Sequence, residues 1–252
     1  MVNINMKKAK TQFLTPLQIT MTAINAALYA TIGIMTFFGI FAPPPIGVVR
    51  FWPVVIIPGV FATLFGPWVG GIGAAIGIFA SDMVVHGNAL LSVTVGVPAN
   101  FLGFYLLGYI ARKEINLKKL ALALAIGVLI IVGGVYSIVA YLPETFEFTG
   151  LSTTDSILLF LATVGGSYAL ISIIASLQPE WKSYGVASVI GLGVGSAIIG
   201  IGLVAYLNTP FYYSLLWFIW TFTTEIPFLL LLGPPILKAC YKVFPFLAPT
   251  EK

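Results

Sequence analysis

The chain has 252 residues, 59% hydrophobic and 8% charged, with a mean hydropathy of +1.05. Soluble domains carry about 25% charged residues, so this composition excludes a soluble protein and points to an all-α, polytopic membrane bundle. The formal charge of +4 sits in loops and termini, where it reports orientation rather than nucleic-acid binding. Cys240 is the one cysteine, which excludes an internal disulfide and any multi-cysteine metal site. Continuous rather than alternating apolar segments argue against a β-barrel.

In chain order, residues 1–15 form a basic tail with Lys7, Lys8 and Lys10, and residues 16–242 form a single transmembrane bundle. Residues 243–252 are a second tail. No small-residue cleavage site follows the first apolar run, which is read as a retained helix rather than a signal peptide. Eight apolar stretches lie near 16–41, 52–65, 67–86, 93–112, 119–142, 154–178, 184–207 and 212–242. The second and third are short and meet at Gly66-Pro67, as a hairpin or as one kinked helix. Lys7, Lys8, Lys10 and the Arg112–Lys119 loop should share the cytoplasmic side, which requires an even number of crossings between them and therefore the hairpin. About eight transmembrane helices with both termini cytoplasmic follow, in the plasma membrane. No loop is large enough to be a nucleotide-binding domain.

Charge is scarce within these stretches, so each ionisable residue is informative. A charge at bilayer depth costs at least about 2.5 kcal/mol on insertion scales and usually faces a cavity, a partner or a ligand. Arg50 follows three successive prolines, Pro43, Pro44 and Pro45, and precedes Trp52. It is either an interfacial arginine reaching lipid phosphate or a substrate-facing group on a stiff loop. Asp82 and His86 are four residues apart and can share a helix face, with Asn88 just beyond. Two ligands are too few for a zinc site, so they are read as a polar pocket wall, or Asp82 as an ion-pair partner of Arg50. Asn100 is an amide inside the fourth stretch. Glu225 lies about half-way down the last one, two residues before Pro227, and is read as a pocket carboxylate. Trp217, Trp220 and Tyr213 supply either aromatic walls to that pocket or a membrane-interface belt.

Small residues recur at helical spacing. Ala23 and Ala27, overlapping with Ala26 and Ala30, form a face that either packs inside the bundle or docks another membrane protein. The run Gly70-Gly71-Ile72-Gly73 through Gly77 is read as internal packing. Gly191-Leu192-Gly193-Val194-Gly195 looks like part of a dinucleotide fingerprint, but with no strand or soluble βαβ unit around it it too is a packing surface.

The first helix with its Ala-xxx-Ala pairs, the run Arg50-Phe51-Trp52-Pro53 to Gly66-Pro67-Trp68-Val69-Gly70-Gly71, and the closing Glu225-Ile226-Pro227 to Gly233-Pro234-Pro235 resemble the substrate-binding S component of energy-coupling factor (ECF) vitamin transporters. The resemblance covers roughly the first 115 and last 40 residues. It implies a six-helix core, here with two additional helices around 119–207. It also implies a vitamin-like small molecule captured from outside, a transmembrane coupling subunit and two cytoplasmic ATPases as partners, and Ala23 and Ala27 as the docking face. The substrate-binding set is then Arg50, Asp82, His86, Asn88, Asn100, Trp220 and Glu225, with no catalytic residue, metal or cofactor. Cobalt and nickel relatives begin Met-His, whereas this chain begins Met1-Val2, which disfavours a metal ion as cargo. The alternative is a proton- or ion-coupled secondary transporter. An intramembrane enzyme has little to build from with one histidine and one cysteine.

Overall fold

The computed structural model describes residues 14–40, 52–141, 152–177, 179–211 and 213–248. Arg50, the terminal lysines Lys7, Lys8 and Lys10, and the loop acids Glu144 and Glu147 lie outside the described residues.

Local signals set the helix ends. Helix α1 (Pro16–Met35) opens with a capping box, in which the Gln18 amide donates to the Thr15 hydroxyl and the Thr15 amide donates back to Gln18 Oε1. The box satisfies two of the amides that every helix N-terminus exposes. α2 (Ile56–Phe65) follows a 3₁₀ turn at Pro53–Val55, and α3 (Pro67–Val85) follows Gly66 directly. α4 (Ala89–Ala111) contains a π turn at Ser92–Gly96. α5 is Leu117–Tyr141. α6 begins at Thr153–Phe160 under a Ser152–Asp155 capping box and continues through a π turn into Gly166–Leu177. α7 (Lys182–Leu207) stops at Asn208 in the left-handed conformation, and α8 (Tyr213–Val243) closes the bundle.

All eight apolar stretches are helical among the described residues. Five helices, Pro16–Phe38, Pro67–Val85, Ala89–Ala111, Lys182–Leu207 and Tyr213–Val243, are long and apolar enough to cross a membrane. The chain is an all-α, multi-pass membrane protein. Its outer surface agrees: Leu28, Ile76, Leu102, Leu129, Ile201 and Leu231 are exposed on the helix flanks, where a bilayer rather than water would solvate them. The fourth helix starts at Ala89, ahead of the expected 93, because Asn88 caps it by accepting from the Leu91 amide at 3.0 Å.

Gly66 makes the turn between α2 and α3 with φ of 113°, a conformation that side chains with a Cβ disfavour. The two helices fold back on each other there, since Ala62 lies against Gly70 while Trp52 and Asp82, at their far ends, line one cavity. The turn shares its end of the bundle with the N-terminus of α1, whose Gln18 Nε2 donates to the Phe65 carbonyl at 3.1 Å.

The core is built by α1–α4, α7 and α8, with α1 on α3, α3 on α4, α4 on α7 and α7 on α8 as the principal pairings. The α4–α7 crossing is tight. A Cβ on Gly191 would strike the Gly103 carbonyl oxygen, and one on Gly195 would lie 3.1 Å from the Ala99 carbonyl oxygen. Close backbone approach of this kind is how helices gain packing energy in a medium as apolar as their own side chains. Helices α5 and α6 pair with each other and lean on α7 and α8 from outside.

Candidate functional site

The α1, α3, α4, α7 and α8 helices enclose a cavity of about 110 Å³, roomy enough for several waters or one small ring. Trp52, just before α2, completes its wall. Asp82, His86, Asn100 and Glu225, drawn from three different helices, all face it.

One wall is aromatic. Tyr29 stands edge-on to Trp52 and to Phe104, with ring centroids 6.0 and 6.2 Å away, the arrangement favoured by ring quadrupoles. The polar atoms of this wall engage one another. Trp52 Nε1 donates to the Tyr29 hydroxyl at 2.8 Å, Tyr29 donates to Asn100 Oδ1 at 2.7 Å, and Asn100 Nδ2 donates to the Gly96 carbonyl at 2.9 Å. Gly96 ends the π turn, a feature that shifts the backbone bonding register and is frequent at functional sites.

The same turn serves Asp82. Ser92, its first residue, donates from Oγ to Asp82 Oδ2 at 2.8 Å, and a Cβ on Gly96 would crowd that oxygen at 3.0 Å. His86 Nε2 lies 3.4 Å from Asp82 Oδ1, one helical turn along α3. His86 also accepts the Asn88 amide at Nδ1, so Nε2 is the nitrogen left to carry a proton toward the acid. Asp82 is buried and held from two elements.

The third wall, from α7 and α8, is different in kind. Glu225 is 8% exposed, Ser196 0% and Thr221 1%. The hydroxyls of Ser196 and Thr221 are buried with no partner among the described residues, and no hydrogen bond or ion pair from those residues reaches Glu225. Thr221 and Glu225 are four apart, hence on one face of α8. Sequence reasoning missed Ser196 and Thr221. Hydroxyls inside helices usually bond the carbonyl four residues back, as Ser188 and Thr224 do here, and nothing in the sequence separates the two kinds.

Two expected site residues lie elsewhere. Asn88 is occupied at the bundle end, capping α4 and donating from Nδ2 to the Tyr206 hydroxyl at 2.6 Å. Trp220 is not among the cavity-lining residues and packs against the cluster of Leu91, Val95, Leu203, Val204 and Trp217. Arg50 lies outside the described residues. Among the described residues no three carboxylate, imidazole or thiol groups converge to hold a metal.

On α1 the two overlapping alanine pairs separate. Ala26 and Ala30 are buried against the bundle, whereas Ala23 and Ala27 are exposed on its outer side. Compared with known proteins, the chain matches no family model, no curated protein and no solved structure.

Proposed function

We propose that the chain is the substrate-binding S component of an ECF-type importer in the plasma membrane, binding a vitamin-like small molecule from outside. A coupling subunit and two cytoplasmic ATPases drive release inward, and the chain itself carries no catalytic step. The observation that supports this reading most is the division of α1. Its inner face carries Tyr29 to the cavity, and its outer face presents Ala23 and Ala27 with nothing over them among the described residues. A cavity lined by two acids and three aromatic rings suits a small polar heterocycle. The packing of six helices around the core, with α5 and α6 outside, agrees with the same assignment.

The test is purification of the tagged chain from its native membranes, followed by reconstitution. Two ATPases and a coupling subunit should accompany it, and uptake should stop when the phosphate-binding lysine of either ATPase is replaced. ATP-independent uptake by the chain alone would overturn the reading in favour of a secondary transporter. Glu225, buried and without a partner among the described residues, is the feature that such a proton-coupled mechanism would use.

A further inference from the structure

The polar groups of the cavity divide into those the chain has satisfied and those it has left open, and the division is spatial. On the α1–α4 side Trp52, Tyr29, Asn100 and the Gly96 carbonyl bond one another in series, and Ser92 and His86 attend Asp82. On the α7–α8 side Ser196, Thr221 and Glu225 line the same space; the two hydroxyls are buried without a partner and no hydrogen bond or ion pair reaches Glu225 among the described residues. A buried hydroxyl left unpaired costs about 1–3 kcal/mol, and a buried carboxylate without a counter-charge costs far more. Three such groups on one wall are a cost without return unless something else fills their bonding capacity.

We infer that Glu225, Thr221 and Ser196 form the cation subsite of the ligand pocket, and that the ligand is a small ring compound bearing a protonated amine. This rests on the pocket being the substrate site proposed above. An ionised carboxylate only accepts hydrogen bonds, and a hydroxyl can accept as well as donate, so this wall offers acceptors converging on one donor-rich group. A primary ammonium has three N–H donors and one positive charge. It matches the number of groups and supplies the counter-charge that Glu225 lacks among the described residues. A ligand carboxylate or phosphate would instead face Glu225 with like charge. The rings of Tyr29, Trp52 and Phe104 line the same cavity, and the Trp52 and Tyr29 polar atoms are already engaged, so this wall receives the apolar ring rather than a second polar group. Asp82 differs from Glu225 in already holding its donors, and serves the shape of the π turn.

Two matched triples of probes test this by titration calorimetry on the purified full-length chain. They are pyridoxamine, pyridoxine and 4-pyridoxate, and benzylamine, benzyl alcohol and benzoate. Within at least one triple the amine should bind tenfold or more tightly than its hydroxyl and carboxylate counterparts. Glu225→Gln should erase that ratio, and Thr221→Val and Ser196→Ala should each weaken the amine several-fold while the three variants remain monodisperse. Equal affinity across both triples, preference for a carboxylate, or no binding by any member would overturn the inference. So would a preference that survives Glu225→Gln and vanishes in Asp82→Asn, or stabilisation by sodium chloride alone that depends on Glu225. Failure of the importer reading looks different, since the amine preference would persist while no ATPase is required for uptake.

Discussion

The indole nitrogen of Trp52 donates to the hydroxyl of Tyr29 at 2.8 Å, fastening the entry of α2 to the middle of α1 across the cavity wall. Because Tyr29 in turn donates to Asn100, one oxygen joins three helices. Tyr29→Phe keeps the ring and leaves a buried indole N–H and an amide oxygen without this partner. The expected cost is about 1–3 kcal/mol, read as a fall of several degrees in the detergent melting temperature. An unchanged melt would mean that the three helices are held by apolar packing alone.

Packing at the α4–α7 crossing gives a paired prediction. Gly191→Ala pushes a methyl group into the Gly103 carbonyl, whereas the nearest atom to a Cβ on Gly193 is a Phe222 ring carbon at 4.0 Å. Overpacking at the first site should cost about 1–3 kcal/mol. The second substitution should be neutral or stabilising, since alanine exceeds glycine in helix propensity by about 1 kcal/mol. Comparable melting temperatures for the two variants would show that the helices separate without penalty.

The divided face of α1 predicts opposite phenotypes for neighbouring alanines. Ala26→Leu, at a buried position, should lower yield and thermal stability. Ala23→Leu, at an exposed one, should leave melting and ligand affinity unchanged while preventing co-purification of the coupling subunit. If Ala23→Leu keeps the complex intact, the docking surface lies elsewhere.

Helix α4 separates Asn88 from Asn116. Asn88 sits with Tyr206 at one end of the bundle, and Asn116 caps α5 just beyond the end shared by Phe65, Gln18 and the close of α4. After removal of Cys240, single cysteines at 88 and 116 should react with an impermeant maleimide from opposite sides of the membrane. Labelling of both from one side would be incompatible with α4 crossing the membrane between them.

Much of this architecture was legible because lipid imposes a simple rule on sequence. Residues 67–86 and 184–207, long apolar runs bounded by Pro, Gly or Asn, become α3 and α7 almost to the residue. Glu225 and Asp82 stood out because charge within such runs is rare, and both face the cavity. Asn88 lies off the cavity wall for a local reason: an asparagine before an apolar run is as good a helix cap as a pocket residue, and here it caps. Trp220 sits five residues from Glu225, about 500° around a helix, and so faces a different neighbour. Ser196 and Thr221 carry no signal of their own. Their distinction is the bond they do not make, which only the assembled bundle reveals.

The three prolines of α8 have a mechanical consequence. Pro227, Pro234 and Pro235 lie inside the helix, and each lacks the amide that would brace the carbonyl four residues earlier. Below Pro227 the rod is clamped, since the Tyr184 hydroxyl donates to the Leu229 carbonyl at 3.0 Å and its ring fills the notch at Gly233. Above it the start of α8 lies close against α7, where a Cβ on Gly200 would strike the Ser214 carbonyl oxygen. Bending compliance is therefore concentrated between these two anchored ends, at Pro227 beside Glu225. Flexing there would swing Glu225 as on a lever, changing the depth of the cavity while the floor of the bundle stays still.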